Sequence, residues 1–228
     1  DSQIINYCSE SEFGLMLDIT LERIQSGYDR KRCWTHARGG VIPTAKGRPI
    51  VVVTMHALRL SGCDVFYEIN DLRTDDLGKT WIGPTPHKKA LGRRPVEEGM
   101  ADGIGDLTPM WHTQSGKLLA TGHTIRYKDD NLIEHPRPRS TIYTVYDPDN
   151  KIWAPWAEIV KPSGPKFFCE GAGSTQRFDL PNGDILLPTY IGLTDTADGV
   201  FNIQFVSTVM RCKFDGTILK YIAHGTEL

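Results

Sequence analysis

Short apolar runs separated by glycine turns set the rhythm of this chain. "RPIVVVTMHAL" (48–58), "KLLATGHTIRY" (117–127) and "DILLPTYIG" (184–192) are brief and rich in apolar or β-branched residues, the pattern of strands. Each follows a glycine turn: "AKGR" at 45–48, "QSGK" at 114–117 and "PNGD" at 181–184. The glycines at 47, 116 and 183 lie 69 and then 67 residues apart, which points to internal repetition. The second half of each unit repeats more loosely, in "DVFYEINDLRTDDLGKTWIGP", "STIYTVYDPDNKIWAPWAEIV" and "NIQFVSTVMRCKFDGTILKYI". Each unit therefore holds about four strands. Helical periodicity is weak; "FGLMLDITLERIQSG" (13–27) reads as a short helix or an irregular entry segment. Four strands per repeat with no helix between them suit an all-β chain of propeller blades, with a twisted solenoid of sheets as the competing architecture.

The turn "RTDDLGKTW" (73–81) is the most informative stretch. Asp76 and Gly78 fall in the bend and Trp81 opens the returning strand. An Asp side chain accepts backbone N–H groups of its own turn, and glycine takes the positive φ that a tight bend needs. "YDPDNKIW" in the second unit is a looser version, and "KFDGT" in the third keeps only the bend.

"TDDLGKTW" resembles the Asp-box, S/T-x-D-x-G-x-T-W, of the BNR-repeat sialidase-like superfamily, through Thr74, Asp76, Gly78, Thr80 and Trp81. "GAGSTQRFDLPNGDILLPTY" (171–190) is similar to the sialidase stretch in which a glycine-rich loop leads into G-x-L-L-x-P. "ARGGVIPTAKGRPIVVV" loosely resembles the Arg-Ile-Pro segment of the first blade. The resemblance runs from about residue 34 to the C-terminus. It implies a sialidase-type β-propeller with three four-stranded blades here, at about 34–100, 101–166 and 167–228, after an entry segment over 1–33. Sialidase-like catalytic domains have six blades, more than three such units supply. A missing C-terminal half or a second chain completing the ring is therefore expected, since an open fan would leave an exposed core face and unpaired edges.

Composition changes little. The 228 residues are 39% hydrophobic and 24% charged, as in a folded domain, and the formal charge of -2 gives no reason to expect nucleic acid as a partner. Basic stretches exist locally, in "YDRKR" (28–32) and "LGRRP" (91–95). No apolar run approaches a membrane span, so no membrane partner is expected. The chain starts without Met or a signal peptide, as a mature secreted or periplasmic product or a boundary of the sequence would. Cysteines 8, 33, 63, 169 and 212 are odd in number and form no C-x-x-C pair, which favours buried free thiols with one bridge at most. No ligand spacing supports zinc or calcium, and no cofactor is expected.

Candidate chemistry lies on the recurring strands, expected to be innermost. Aligning "VTMH" with "ATGH" makes His56 and His123 equivalent; in the third unit Tyr190 falls where the second has Gly122. Together these three supply a base, an acid or ligands, or else satisfy backbone groups. Asp102 and Asp106, in "DGIGDLTPMWH", are candidates for the Asp acid/base that the resemblance implies, with turn capping as the competing role. Glu170 before "GAG" is a second carboxylate, and Arg177 a fork for a substrate carboxylate. Arg38 stands nearest to the first arginine of the sialidase triad, although two glycines and a valine separate it from Ile. Trp111 and His112 are expected on a rim loop, where the indole stacks on a sugar. "HPRPRS" (135–140) reads as an exposed proline-rich loop whose arginines serve solubility.

Three functions remain open. The leading one is a glycoside hydrolase resembling exo-sialidases, acting on a glycan with an acidic sugar through paired carboxylates. The second is a polysaccharide lyase in which His and Tyr move protons on a uronic acid. The third is a non-catalytic glycan-binding propeller.

Overall fold

The structure is a computed structural model that describes residues 5–10, 16–45, 47–172, 176–195 and 202–228. The fold is mostly β. In chain order the strands are β1 (Ile5–Glu10), β2 (Met16–Leu21), β3 (Arg32–Ile42), β4 (Ile50–Arg59), β5 (Phe66–Thr74) and β6 (Ile82–Pro86). The short helix α1 (Lys88–Leu91) precedes β7 (Arg94–Glu97), β8 (Met100–His112), β9 (Lys117–Lys128), β10 (Asn131–Leu132), β11 (Thr141–Asp147), β12 (Ile152–Trp153) and β13 (Ala157–Glu158). The last strands are β14 (Glu170–Ala172), β15 (Phe178–Asp179), β16 (Asp184–Asp195), β17 (Asn202–Phe214) and β18 (Leu219–His224).

β1 and β2 pair as a separate antiparallel sheet, so residues 16–21, within the stretch read as a short helix or an irregular entry segment, are a strand. The remaining strands form three antiparallel sheets: β3-β4-β5-β6, then β7-β8-β9-β11-β12 with β10 and β13 at its margins, then β14-β16-β17-β18 with β15 beside β16. The recurring strands are β4, β9 and β16. Each stands inside its sheet rather than at the edge: β4 and β16 are second, after β3 and β14, and β9 is third, after β7 and β8.

The middle sheet is covered on both faces. Leu118 joins a core with Ile42, Val52 and Ile69 of the first sheet, while its neighbour Leu119 joins Ile185, Leu187 and Met210 of the third. Alternation along β9 sends successive side chains to opposite faces, so a doubly covered strand reads as a nearly continuous apolar run. Polar ties cross the same interface. Asp71 Oδ2 accepts from Trp153 Nε1 at 2.8 Å and lies 3.0 Å from His87 Nε2, and Arg73 Nη1 donates to Pro148 O at 2.9 Å.

The Asp turn is built as its sequence suggests. Asp76 Oδ1 accepts from Thr80 N at 2.9 Å and Oδ2 from Thr80 Oγ1 at 2.7 Å, while Gly78 N donates to Thr74 Oγ1 at 2.9 Å. Leu77 and Gly78 take φ of 63° and 86°, and Trp81 Nε1 closes back on Gly78 O at 3.1 Å. Asp147 and Asp215 cap the corresponding turns of the other two sheets through backbone N–H groups.

Cys33, Cys63, Cys169 and Cys212 are free thiols; Cys63 is exposed and Cys169 and Cys212 are buried. The side chain of Cys8 lies outside the described residues.

Candidate functional site

Two bulges organise the site. Between Thr35 and Arg38, β3 carries one residue more than β4 opposite it, and between Gly105 and Thr108, β8 carries one more than β9. The residue displaced at each is a non-glycine in the left-handed region: His36 at φ 53° and Asp106 at φ 49°. Such backbone costs on the order of 1–3 kcal/mol and persists where surrounding structure holds it, commonly at functional sites. His56 pairs with Thr35 just before the first bulge and His123 with Gly105 just before the second, so the two histidines are equivalent in adjacent sheets.

The bulges bring their side chains together. Asp106 Oδ1 lies 3.3 Å from both Arg38 Nη2 and His36 Nδ1. The His36 ring stands edge-on to His56 at 5.7 Å between centroids, and Phe66 packs on His56 at 4.5 Å. Both ring nitrogens of His56 and Nε of Arg38 are buried without a hydrogen-bond partner among the described residues. Burial, then the neighbouring His36, push the His56 pKa down to about 3, against a pull upward from Asp106.

His123 continues the cluster toward the third sheet. Its Nδ1 meets Ala172 O at 2.9 Å; a carbonyl only accepts, so Nδ1 carries the proton and Nε2 the lone pair. Burial and then Arg139 lower its pKa to about 4. Gly171 is where three side chains converge. A Cβ there would stand 2.8 Å from His123 Cβ and 2.9 Å from Arg139 Cδ, and its partner across the ladder is Tyr190. Arg139 stacks over the Tyr190 ring at 5.0 Å, with Nε buried and without a partner among the described residues.

The other candidates sit elsewhere. Asp102 is held bidentately by Arg126 across β8 and β9. Glu170 is wholly buried, accepting from Thr141 N and Oγ1 at 2.8 Å each and from Lys161 Nζ. Arg177 donates to Asp179, Leu119 O and Met110 O, tying the third sheet to the second. His112 bridges Ser115 Oγ and Gly183 O, and Trp111 packs against the first core. Among the described residues, no group of three or more His, Cys, Asp and Glu could hold a metal ion, and no helix is long and apolar enough to cross a membrane.

Sequence reasoning missed His36 and Arg139. The "HPRPRS" loop, read as exposed, buries both Arg137 and Arg139 to less than a tenth of their surface, because residues 139–141 run between the second and third sheets. Two guanidinium groups kept from water in a proline-rich loop are the signal that a reading by composition overlooks.

No family model matches the chain, and no curated protein matches it. Among solved structures, it is similar to Trypanosoma rangeli sialidase in complex with sialic acid, at 11% identity and a TM-score of 0.48. It is likewise similar to that sialidase with 2,3-difluorosialic acid as a covalent intermediate, at 11% identity and a TM-score of 0.49. Both alignments cover 99% of this chain and 36% of the sialidase chain, so the chain spans little more than a third of those structures. The likeness is distant and partial, and it assigns no role to any residue.

Proposed function

We propose that this chain supplies half of a carbohydrate-active site for an acidic sugar, on sheets that are blades of a sialidase-type propeller completed by residues outside it. The observation that carries the reading is the convergence, at equivalent bulges of two adjacent sheets, of Asp106, His36 and Arg38 with two neutral histidines and the buried Arg139. Arginine forks hold carboxylates bidentately, and a buried guanidinium with an unused donor is suited to an anionic ligand. Exposed apolar residues on the outer faces of the first and third sheets, such as Val41 on one and Val209 on the other, support completion by further sheets.

The chemistry these side chains favour is β-elimination on a uronate. An arginine would hold the sugar carboxylate, neutralise its charge and so raise the acidity of the neighbouring C5–H. Neutral His123 would take that proton on Nε2, leaving the Tyr190 hydroxyl as the donor. The electron pair left behind forms the C4–C5 double bond as the C4–O bond breaks, and the departing oxygen takes a proton from the other member of the pair. His123 suits the base because its lone pair is fixed on Nε2 and it is neutral across the physiological range. Hydrolysis of an acidic sugar is the second reading, favoured by Asp106 as a carboxylate within the cluster; Asp102 and Glu170 already serve internal ion pairs.

The test is incubation of the full-length protein with uronate polysaccharides and with sialosides. Elimination yields a product with a new ultraviolet absorbance from the unsaturated uronate, and His123→Gln should lower its rate at least about 100-fold. Release of free sugar without that absorbance would replace this chemistry with hydrolysis. Binding of acidic glycans without any product would leave a lectin.

A further inference from the structure

We infer that a basic groove at the far ends of β3 and β4 is a second anionic subsite, so that the glycan recognised is a polyanionic chain rather than a single terminal sugar. This rests on the central cluster being the acidic-sugar site. Arg32 and Arg59 are direct partners across the β3–β4 ladder. Like charges placed opposite one another in an antiparallel pair repel, and a local rule broken without full compensation marks a functional position. Arg30 and Lys31 line the same groove, with Tyr67 as an aromatic wall.

Compensation here is thin. Asp29 lies 3.5 Å from Arg32, but its other oxygen accepts the N–H groups of Lys31 and Arg32 to shape the turn. Asp130 lies 3.7 Å from Arg59 and is shared with Arg93. Exposed ion pairs of this kind contribute little. Among the described residues, four cations therefore face two carboxylates, one of them shared, on a chain whose formal charge is -2. Concentrated positive charge on a slightly acidic protein is costly unless an anion uses it.

The groove lies at the ends of the two strands that carry the cluster, on the sheet face opposite to His56. His36 and Arg32 share β3, and His56 and Arg59 share β4, three to four residues apart, or about 10 Å along a strand. A chain that begins at the cluster and passes over the ends of β3 and β4 would bring a later carboxylate or sulfate to this groove.

The experiment compares full-length wild type with Arg32→Ala/Arg59→Ala on size-defined acidic oligosaccharides, short and long. Both side chains are exposed, so the variant should melt as wild type does. The expected result is a KM raised about tenfold for long chains, with kcat and all constants for the shortest substrate unchanged. Arg59→Lys should restore most of the loss, and added salt should erode the advantage of long chains in wild type. Equal effects on short and long substrates, or none on either, would overturn the subsite. Immobilised polyanionic and neutral glycans separate this inference from the reading beneath it. If no acidic glycan is turned over but the variant loses polyanion binding, the groove stands and the catalytic reading falls. If turnover occurs and neither binding nor KM responds to the variant, the reverse holds.

Discussion

His56 and His123 are uncharged in the folded protein because burial removes the water that would solvate an imidazolium, and nearby cationic groups add to that penalty. In the unfolded chain each titrates near 6.5. Below that value the unfolded state binds protons that the native state refuses, so stability is full above it and falls as pH drops toward about 4. Each histidine contributes a slope of about 1.4 kcal/mol per pH unit in that window. Denaturant unfolding from pH 7 to 4 should show this fall, and His56→Gln should flatten it; an unchanged slope would mean His56 is protonated in the native state. The pairing of these two residues was legible from "VTMH" and "ATGH". His36 and Asp106 were not legible as partners, because a bulge inserts one residue and breaks the period-2 pattern that locates side chains on a strand.

At the scale of single elements, the turn after β5 was the clearest signal in the sequence, and its local chemistry explains why. Every hydrogen bond of the bend is made within residues 74–81, so no tertiary information is needed to read it. Thr80 and then Thr74 hold the Asp76 carboxyl down to about 2, so the stability it confers is present above the ordinary carboxylate value and is lost as pH falls from about 4 toward 2. Asp76→Ala should lower the melting temperature at pH 7 and have no effect at pH 2. Gly78→Ala, at φ 86°, should cost about 1 kcal/mol in denaturant unfolding. The recurring strands were found correctly as strands but misplaced as innermost. Among them, coverage on both faces holds for β9 alone; along β4 and β16 buried positions are interspersed with half-buried ones, whereas β3 and β8 contain glycines and charged residues that mask them as strands. The stretch 13–27 carries no strong period of either kind, and pairing with β1 decided its β2 portion.

Across the whole molecule, the sheets are joined by side chains distant in sequence. Asp71 is buried between the first two sheets and serves Trp153 and His87 together. Asp71→Ala should destabilise by about 2–3 kcal/mol by stranding the buried Trp153 N–H, and adding Trp153→Phe should cost less than it does alone, since the two changes share one contact. A fully additive double mutant would place the joint elsewhere. The outer faces of the first and third sheets carry the opposite message, apolar and uncovered. Native and denaturing mass measured on one sample should reveal a longer chain or a second chain covering them; a native mass of one copy of these 228 residues would leave them bare. The most direct test of the central claim is the affinity of the full-length protein for an acidic oligosaccharide and its neutral counterpart, measured by calorimetry for wild type and Arg139→Ala. The account predicts that wild type binds the acidic sugar at least about tenfold more tightly and that Arg139→Ala abolishes the difference. Equal affinities in wild type, or a preference that survives the substitution, would contradict it.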